Sequence, residues 1–155
     1  MNKPVEPFRD SVIGYGLVVS PGQAAGVPLL LAEPLSFWGG FDVNTGCISD
    51  RRHPDHGQSL AGRVVLMAKA KGSSSSSSVL AEAIRKGTAP AALVMAEPDL
   101  IIALGAMVAD ELYGIRLPIV TADNALRQVL AGVTVPVRVE ADAEGACFFM
   151  RAPPP

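Results

Sequence analysis

Between Arg63 and Glu140 short apolar runs alternate with amphipathic stretches, and this alternation restricts the fold more than any other feature. "RVVLMA" (63–68), "AALVMAE" (91–97) and "LPIVTA" (117–122) have the length and texture of buried strands. Helical spacing fills the gaps between them. "SVLAEAIRKG" (78–87) places Val79, Leu80, Ala83 and Ile84 on one side, sets Glu82 four residues before Lys86, and stops at Gly87. "PDLIIALGAMVADELYG" (98–114) opens on Pro98 and Asp99 and stops at Gly114, while "DNALRQVLAG" (123–132) opens on Asp123. Met95 and Met107 fall in core patterns. "VTVPVRVE" (133–140) closes the series, and "ACFFM" (146–150) adds a strand at an edge. Such alternation implies parallel strands joined by right-handed crossovers.

The first third has a different texture. "SVIGYGLVVS" (11–20) and "VPLLLAE" (27–33) are apolar runs flanking "PGQAAG", which has the composition of a turn. This predicts an N-terminal antiparallel hairpin. Next comes "PLSFWGGFDVNTGCISDRRHPDHGQSLAG" (34–62), which has no sustained period. A stretch of that length without regular structure is usually functional or disordered, and its Phe37–Trp38 pair argues against disorder. Trp38, Gly39 and Gly40 form either a core anchor with a tight turn or a backbone wall beside a ligand.

Composition bounds the function classes. With 49% hydrophobic and 18% charged residues, the 155-residue chain is a globular domain rather than a disordered one. A net charge of −2, without runs of Lys or Arg, gives no footprint for nucleic acid or anionic membrane. "MNKPVEPFRD" lacks a signal-peptide core, and no apolar stretch reaches membrane-span length. Cys47 and Cys147 give neither a disulfide framework nor a metal spacing. His53 and His56 in "HPDHG" lack helical context and a third ligand, and predict a packed, hydrogen-bonded loop. The expectation is a cytoplasmic protein without its own metal, with one domain over 1–150 and a frayed 151–155 tail.

"KGSSSSSSVL" (71–80) is the stretch with most chemical content. Serine runs are commonly solvated low-complexity sequence. Here, however, the run fills the connection between a strand ending near Ala68 and a helix under way by Val79. Some of the serines therefore cap or begin that helix. A helix start presents unpaired N–H groups and a partial positive charge, to which Lys69 and Lys71 add. Gly72 permits a sharp turn. The pattern is an anion site at the edge where α/β sheets bind ligands, without the signature of a nucleotide-binding P-loop.

The order of "LSFWGGFD" (35–42), "HPDHGQSLAGRVVLM" (53–67), "KGSSSSSSVLAEAIRKGTAPAALVMAEPD" (71–99) and "ALGAMVADELYG" (103–114) resembles the small subunit of the aconitase X family. The resemblance covers roughly residues 10–125. It implies an α/β swivelling β/β/α-type domain with a partly parallel sheet or barrel, closing over a large partner subunit. It also implies that an iron–sulfur cluster sits on that partner and none on this chain. By position Ser73 matches the catalytic base, with Ser74, Gly72 and Lys71 holding a small carboxylate substrate beside Trp38, Gly39 and Gly40. The chain departs from the family at Ala68, Ala70 and Lys71, where Gly/Pro and an Arg are usual. Lysine keeps the charge and loses the bidentate geometry.

Two substrate classes follow from the resemblance: cis-3-hydroxy-L-proline, which "FWGG" and the multi-serine loop favour, and mevalonate 5-phosphate. The competing expectation is a stand-alone module that binds a small carboxylate without catalysis. A swivel subunit should leave an apolar or Gly-rich face uncovered around 36–46 and the serine loop; a self-contained sensor should not.

Overall fold

The computed structural model describes residues 10–151. Strands β1 (Asp10–Ser20), β2 (Gly22–Gly26) and β3 (Pro28–Leu30) precede a four-residue helical turn, α1 (Phe37–Gly40). The alternating region follows: β4 (Val64–Leu66), α2 (Ser76–Lys86), β5 (Ala92–Met95), α3 (Leu100–Tyr113), β6 (Ile119–Thr121) and α4 (Asn124–Ala131). β7 (Val137–Asp142) and β8 (Gly145–Arg151) complete one eight-stranded sheet in the order β2-β7-β8-β1-β6-β5-β4-β3.

Strands β3 to β6 run parallel, as the alternation requires, and the remaining pairs are antiparallel. β4, β5 and β6 are buried at every position, because both faces are covered. Val65, Met67, Leu93, Met95 and Ile119 face α2, α3 and the 31–60 segment. Val64, Leu66, Ala92, Val94 and Val120 face Leu130 of α4 and the apolar residues of β7 and β8. The helices end where the caps dictate. Asp99 accepts from the N–H groups of Ile101 and Ile102 at 2.9 and 3.0 Å, and Asp123 from Leu126 at 2.8 Å.

Several sequence expectations are corrected. "PGQAAG" is a strand rather than a turn, since Gly22–Gly26 pairs residue for residue with Val137–Ala141. Its glycines serve close approach: a Cβ on Gly26 would collide with the carbonyl of Gly62. β1 pairs with β6 and β8, so the N-terminal hairpin does not form; the sequential hairpin is β7–β8. "ACFFM" lies between β7 and β1 instead of at an edge, and β7 begins at Val137 rather than 133. Arg151 closes β8, and the rest of the expected tail lies outside the described residues. Met95 is fully buried but Met107 is 62% exposed, on the side of α3 away from the sheet. Glu82 pairs with Arg85 rather than Lys86, whose ammonium reaches Asn44.

The aperiodic 34–62 segment is ordered by its own core. Leu35, Phe37, Phe41, Ile48 and Leu60 are all buried, and the Phe37 and Phe41 rings meet edge-on at 5.3 Å. Among the described residues no helix is long and apolar enough to cross a membrane.

Candidate functional site

The serine run gives each of its residues a different position. Ala70 bridges to Leu35 in parallel, and Lys71 N–H donates to the Leu35 carbonyl at 3.1 Å. This brings the run against the FWGG turn. Gly72 has φ +101, and a Cβ there would collide with Ser36 Oγ. Ser73 Oγ accepts the N–H of Ser75 at 3.1 Å, and its carbonyl accepts that of Ser76 at 3.0 Å. The capping oxygen therefore comes from Ser73, whereas the cap position itself, Ser75, makes no side-chain cap bond. Ser76 is buried, and its Oγ accepts the N–H of Trp38 at 3.2 Å.

Ser73 and Ser74 stay exposed. Among the described residues, the N–H groups of Gly72, Ser73 and Ser74 donate to no protein acceptor. Three consecutive donors at a helix start, with no acidic residue in the first turn, suit an oxyanion.

FWGG divides between core and surface. Phe37 is fully buried and anchors the core, while Trp38 is 57% exposed. Trp38 and Gly39 leave helical geometry, so the stretch is a tight turn, with Phe37 and Gly40 buried at its two ends. Five of the seven sequence-predicted site residues, Trp38, Gly39, Gly40, Lys71 and Gly72, line one pocket of about 290 Å³. Ser73 and Ser74 follow Gly72 directly but do not line it.

Sequence reasoning missed three residues of that wall, Ser36, Asp50 and Arg52. Asp50 Oδ1 accepts the Arg52 N–H at 2.9 Å in an Asx turn, and Arg52 Nε lies 3.4 Å from the same oxygen. The Arg52 N–H, then its guanidinium and Lys71, hold the Asp50 carboxyl below the usual carboxylate range, against partial burial. The signal was present in "SDRRH", an Asp two residues before an Arg, but only the fold carries it to Lys71.

His53 is buried and serves structure. Its Nε2 lies 3.1 Å from the Glu33 carbonyl, and its Nδ1 accepts the N–H of Asp55 at 3.0 Å. Asp55 Oδ2 in turn accepts from Ala32 at 2.8 Å, while His56 is exposed. Cys47 and Cys147 are free thiols, and burial pushes that of Cys147 up. Among the described residues no three His, Cys, Asp or Glu side chains converge as a metal site.

The protein does leave apolar surface uncovered, though not in the 36–46 stretch where the sequence suggested it. Of the large residues in 36–46 only Trp38 is exposed. The most exposed large apolar side chains come from β1 and α3. Leu17 pairs with Thr121, at the carboxyl end of β6, so Tyr15 and Leu17 share the sheet edge from which α2 and α3 depart. Tyr15 and Leu17 are each 73% exposed, and Leu100 at the start of α3 is 83% exposed.

The profile of the aconitase X swivel domain matches residues 14–146. The chain belongs to that family. It is 49% identical over 98 residues to a cis-3-hydroxy-L-proline dehydratase of Pseudomonas aeruginosa. That alignment covers 63% of this chain and 17% of the Pseudomonas protein, so the chain spans about a sixth of that relative. It is 38% identical over 127 residues to the phosphomevalonate dehydratase small subunit of Methanothermobacter thermautotrophicus, covering 82% of this chain and 91% of that subunit. The fold is similar to the crystal structure of Thermococcus kodakaraensis aconitase X in its holo-form, with a TM-score of 0.70 at 28% identity. That likeness covers 88% of this chain and 97% of the other. The α/β swivel-type fold with a partly parallel sheet that the sequence implied is thus the one found, except that no N-terminal hairpin forms.

Proposed function

We propose that the chain is the swivel subunit of an aconitase-type hydro-lyase that dehydrates cis-3-hydroxy-L-proline, with Ser73 as the base. The observation that carries this reading is the N–H of Ser75 donating to Ser73 Oγ at 3.1 Å. A serine hydroxyl is by itself far too weak an acid to work as a base. A donor already aimed at its oxygen, a helix start and a nearby lysine all favour the alkoxide. Ser73 then takes the proton from the carbon bearing the carboxylate, the electron pair forms the ring double bond, and hydroxide leaves the neighbouring carbon. Proton and hydroxide together make the water released, and the product is a pyrroline-2-carboxylate. The free N–H groups of Gly72 to Ser74 stabilise charge that builds on the carboxylate as the proton departs.

An iron–sulfur cluster does not fit this chain: its two cysteines lie on different elements and no third ligand joins either among the described residues. In this reading the cluster, and the group that helps hydroxide leave, belong to a large partner subunit. The apolar edge around Tyr15, Leu17 and Leu100 supports such a partner and disfavours a self-contained sensor.

Mevalonate 5-phosphate is the second reading, favoured by the near-complete overlap with the Methanothermobacter small subunit. The higher identity to the hydroxyproline enzyme and the charge pattern of the pocket favour the first.

The test is capture of a tagged chain from its native cell under anaerobic conditions, with iron analysis and assays of both substrates. An equimolar, larger, iron-containing chain with hydroxyproline turnover is expected. In that complex Ser73→Ala should lose about 10²–10⁴ in kcat, while Ser78→Ala, on the exposed side of α2, keeps it. An iron-free single chain, or full activity in Ser73→Ala, sinks the reading.

A further inference from the structure

The pocket beside the serine loop carries charge of both signs. Its polar wall holds one carboxylate, Asp50, and two cations, Arg52 and Lys71. Asp50 Oδ1 is occupied by Arg52 twice over, while Oδ2 accepts no hydrogen bond among the described residues. The Asp50 side chain is only 26% exposed, whereas that of Arg52 is 92% exposed. Asp50 is therefore an oriented acceptor, and Arg52 meets it through its N–H and Nε, which leaves its terminal nitrogens without a partner among the described residues. Lys71 makes no ion pair among the described residues. The remaining walls are Ser36, whose hydroxyl donates to the Trp38 carbonyl, the Trp38 side chain and the backbone of Gly39, Gly40 and Gly72.

We propose that Asp50 is the residue that reads the amine of the substrate, making this pocket selective for a zwitterionic imino or amino acid over a polyanion. This rests on the aconitase-type reading above and specifies its substrate class. A secondary ammonium docks on Asp50 Oδ2, and the carboxylate of the same molecule faces Lys71 and the terminal nitrogens of Arg52. The carbon between ammonium and carboxylate then lies against Gly72, one residue from Ser73. A positive nitrogen held on that carbon makes its proton easier to remove, so the same contact that selects the substrate assists the base. A phosphorylated carboxylate has no group for Oδ2 and brings added negative charge against it. The volume of about 290 Å³ lies at the small end of ligand pockets, as a five-membered ring acid requires.

Asp50→Asn is the decisive variant, because the amide oxygen still accepts the Arg52 N–H and keeps the Asx turn. In the isolated chain, amide NMR shifts of Gly39, Gly40 and Gly72 are followed with L-proline and with tetrahydrofuran-2-carboxylate, which keeps ring and carboxylate but lacks the ammonium. Proline is expected to bind at least about tenfold more tightly, the value of one charged hydrogen bond, and Asp50→Asn should erase the difference. Equal binding of the two probes, no shift with either, or a preference that survives Asp50→Asn overturns the proposal. In the reconstituted enzyme Asp50→Asn should raise KM for cis-3-hydroxy-L-proline at least about tenfold, with a smaller fall in kcat, the reverse of Ser73→Ala. Hydroxyproline turnover that is indifferent to Asp50→Asn refutes this inference and leaves the functional reading standing. No hydroxyproline turnover, with proline selectivity intact in the isolated chain, refutes the functional reading alone.

Discussion

The backbone N–H of Trp38 donates to Ser76 Oγ at 3.2 Å, across 38 residues of sequence. This bond ties the FWGG turn to the start of α2, so pocket wall and serine loop move as one piece. Ser76 is 2% exposed, and no solvent replaces its hydroxyl when it is removed.

Ser76→Ala should therefore destabilise the fold by about 1–3 kcal/mol, the cost of leaving a partly buried donor unpaired. Thermal melting of the isolated chain should show a fall of roughly 2–4 °C per kcal/mol at this size. Ser73→Ala, whose hydroxyl is exposed, should melt within about 1 kcal/mol of wild type. Equal melting of the two variants would contradict the division of labour among the serines.

Gly72 and Gly39 both have positive φ, +101 and +78, but differ in what surrounds them. Alanine at Gly39 meets nothing within 4 Å and should cost only the backbone strain, about 1–2 kcal/mol. Alanine at Gly72 adds a collision with Ser36 Oγ, which already donates to the Trp38 carbonyl at 2.7 Å. Gly72→Ala should thus destabilise more than Gly39→Ala and shift the Trp38 fluorescence, and urea melts followed by that fluorescence check both.

Much of this architecture is legible in the sequence because its causes are local. Asp99 and Gly114 bracket α3, Asp123 opens α4, and β4 and β5 are continuous apolar runs because helices or strands cover both faces. The Gly22–Gly26 strand is not legible, since its partner is Val137–Ala141 and no property of "GQAAG" reports that distant pairing. The site divides in the same way. Ser73 and Gly72 stand out in a serine run, whereas Asp50 gains its meaning only when the fold carries it to Lys71. Met107 misleads for a related reason, because an exposed apolar helix face has the same spacing as a buried one.

Acid should destabilise the chain partly through Glu82. The Arg85 guanidinium, bonded to both carboxylate oxygens at 2.9 and 2.6 Å, holds Glu82 below the usual carboxylate range. A carboxylate with a depressed folded pKa adds stability that is complete above its unfolded pKa and fades as pH falls through the folded one. Glu82→Gln should therefore lower the melting temperature slightly near neutrality and converge with wild type in the acid range. Because the pair is exposed, high salt should shrink the difference. A gap that widens on acidification would show that Glu82 does not act through this pair.

A substitution at Leu100 separates the proposed partner surface from the fold. It opens α3, which follows β5, with its side chain 83% exposed. Leu100→Glu should leave the isolated chain at least as stable as wild type, because a carboxylate at a helix N-terminus is favoured by about 0.3–1 kcal/mol. The same charge placed against an apolar partner surface must be desolvated without a counterion. Co-purification of the large chain should therefore fall sharply while the melting temperature holds or rises. If Leu100→Glu binds the partner as wild type does, Leu100 lies outside the contact.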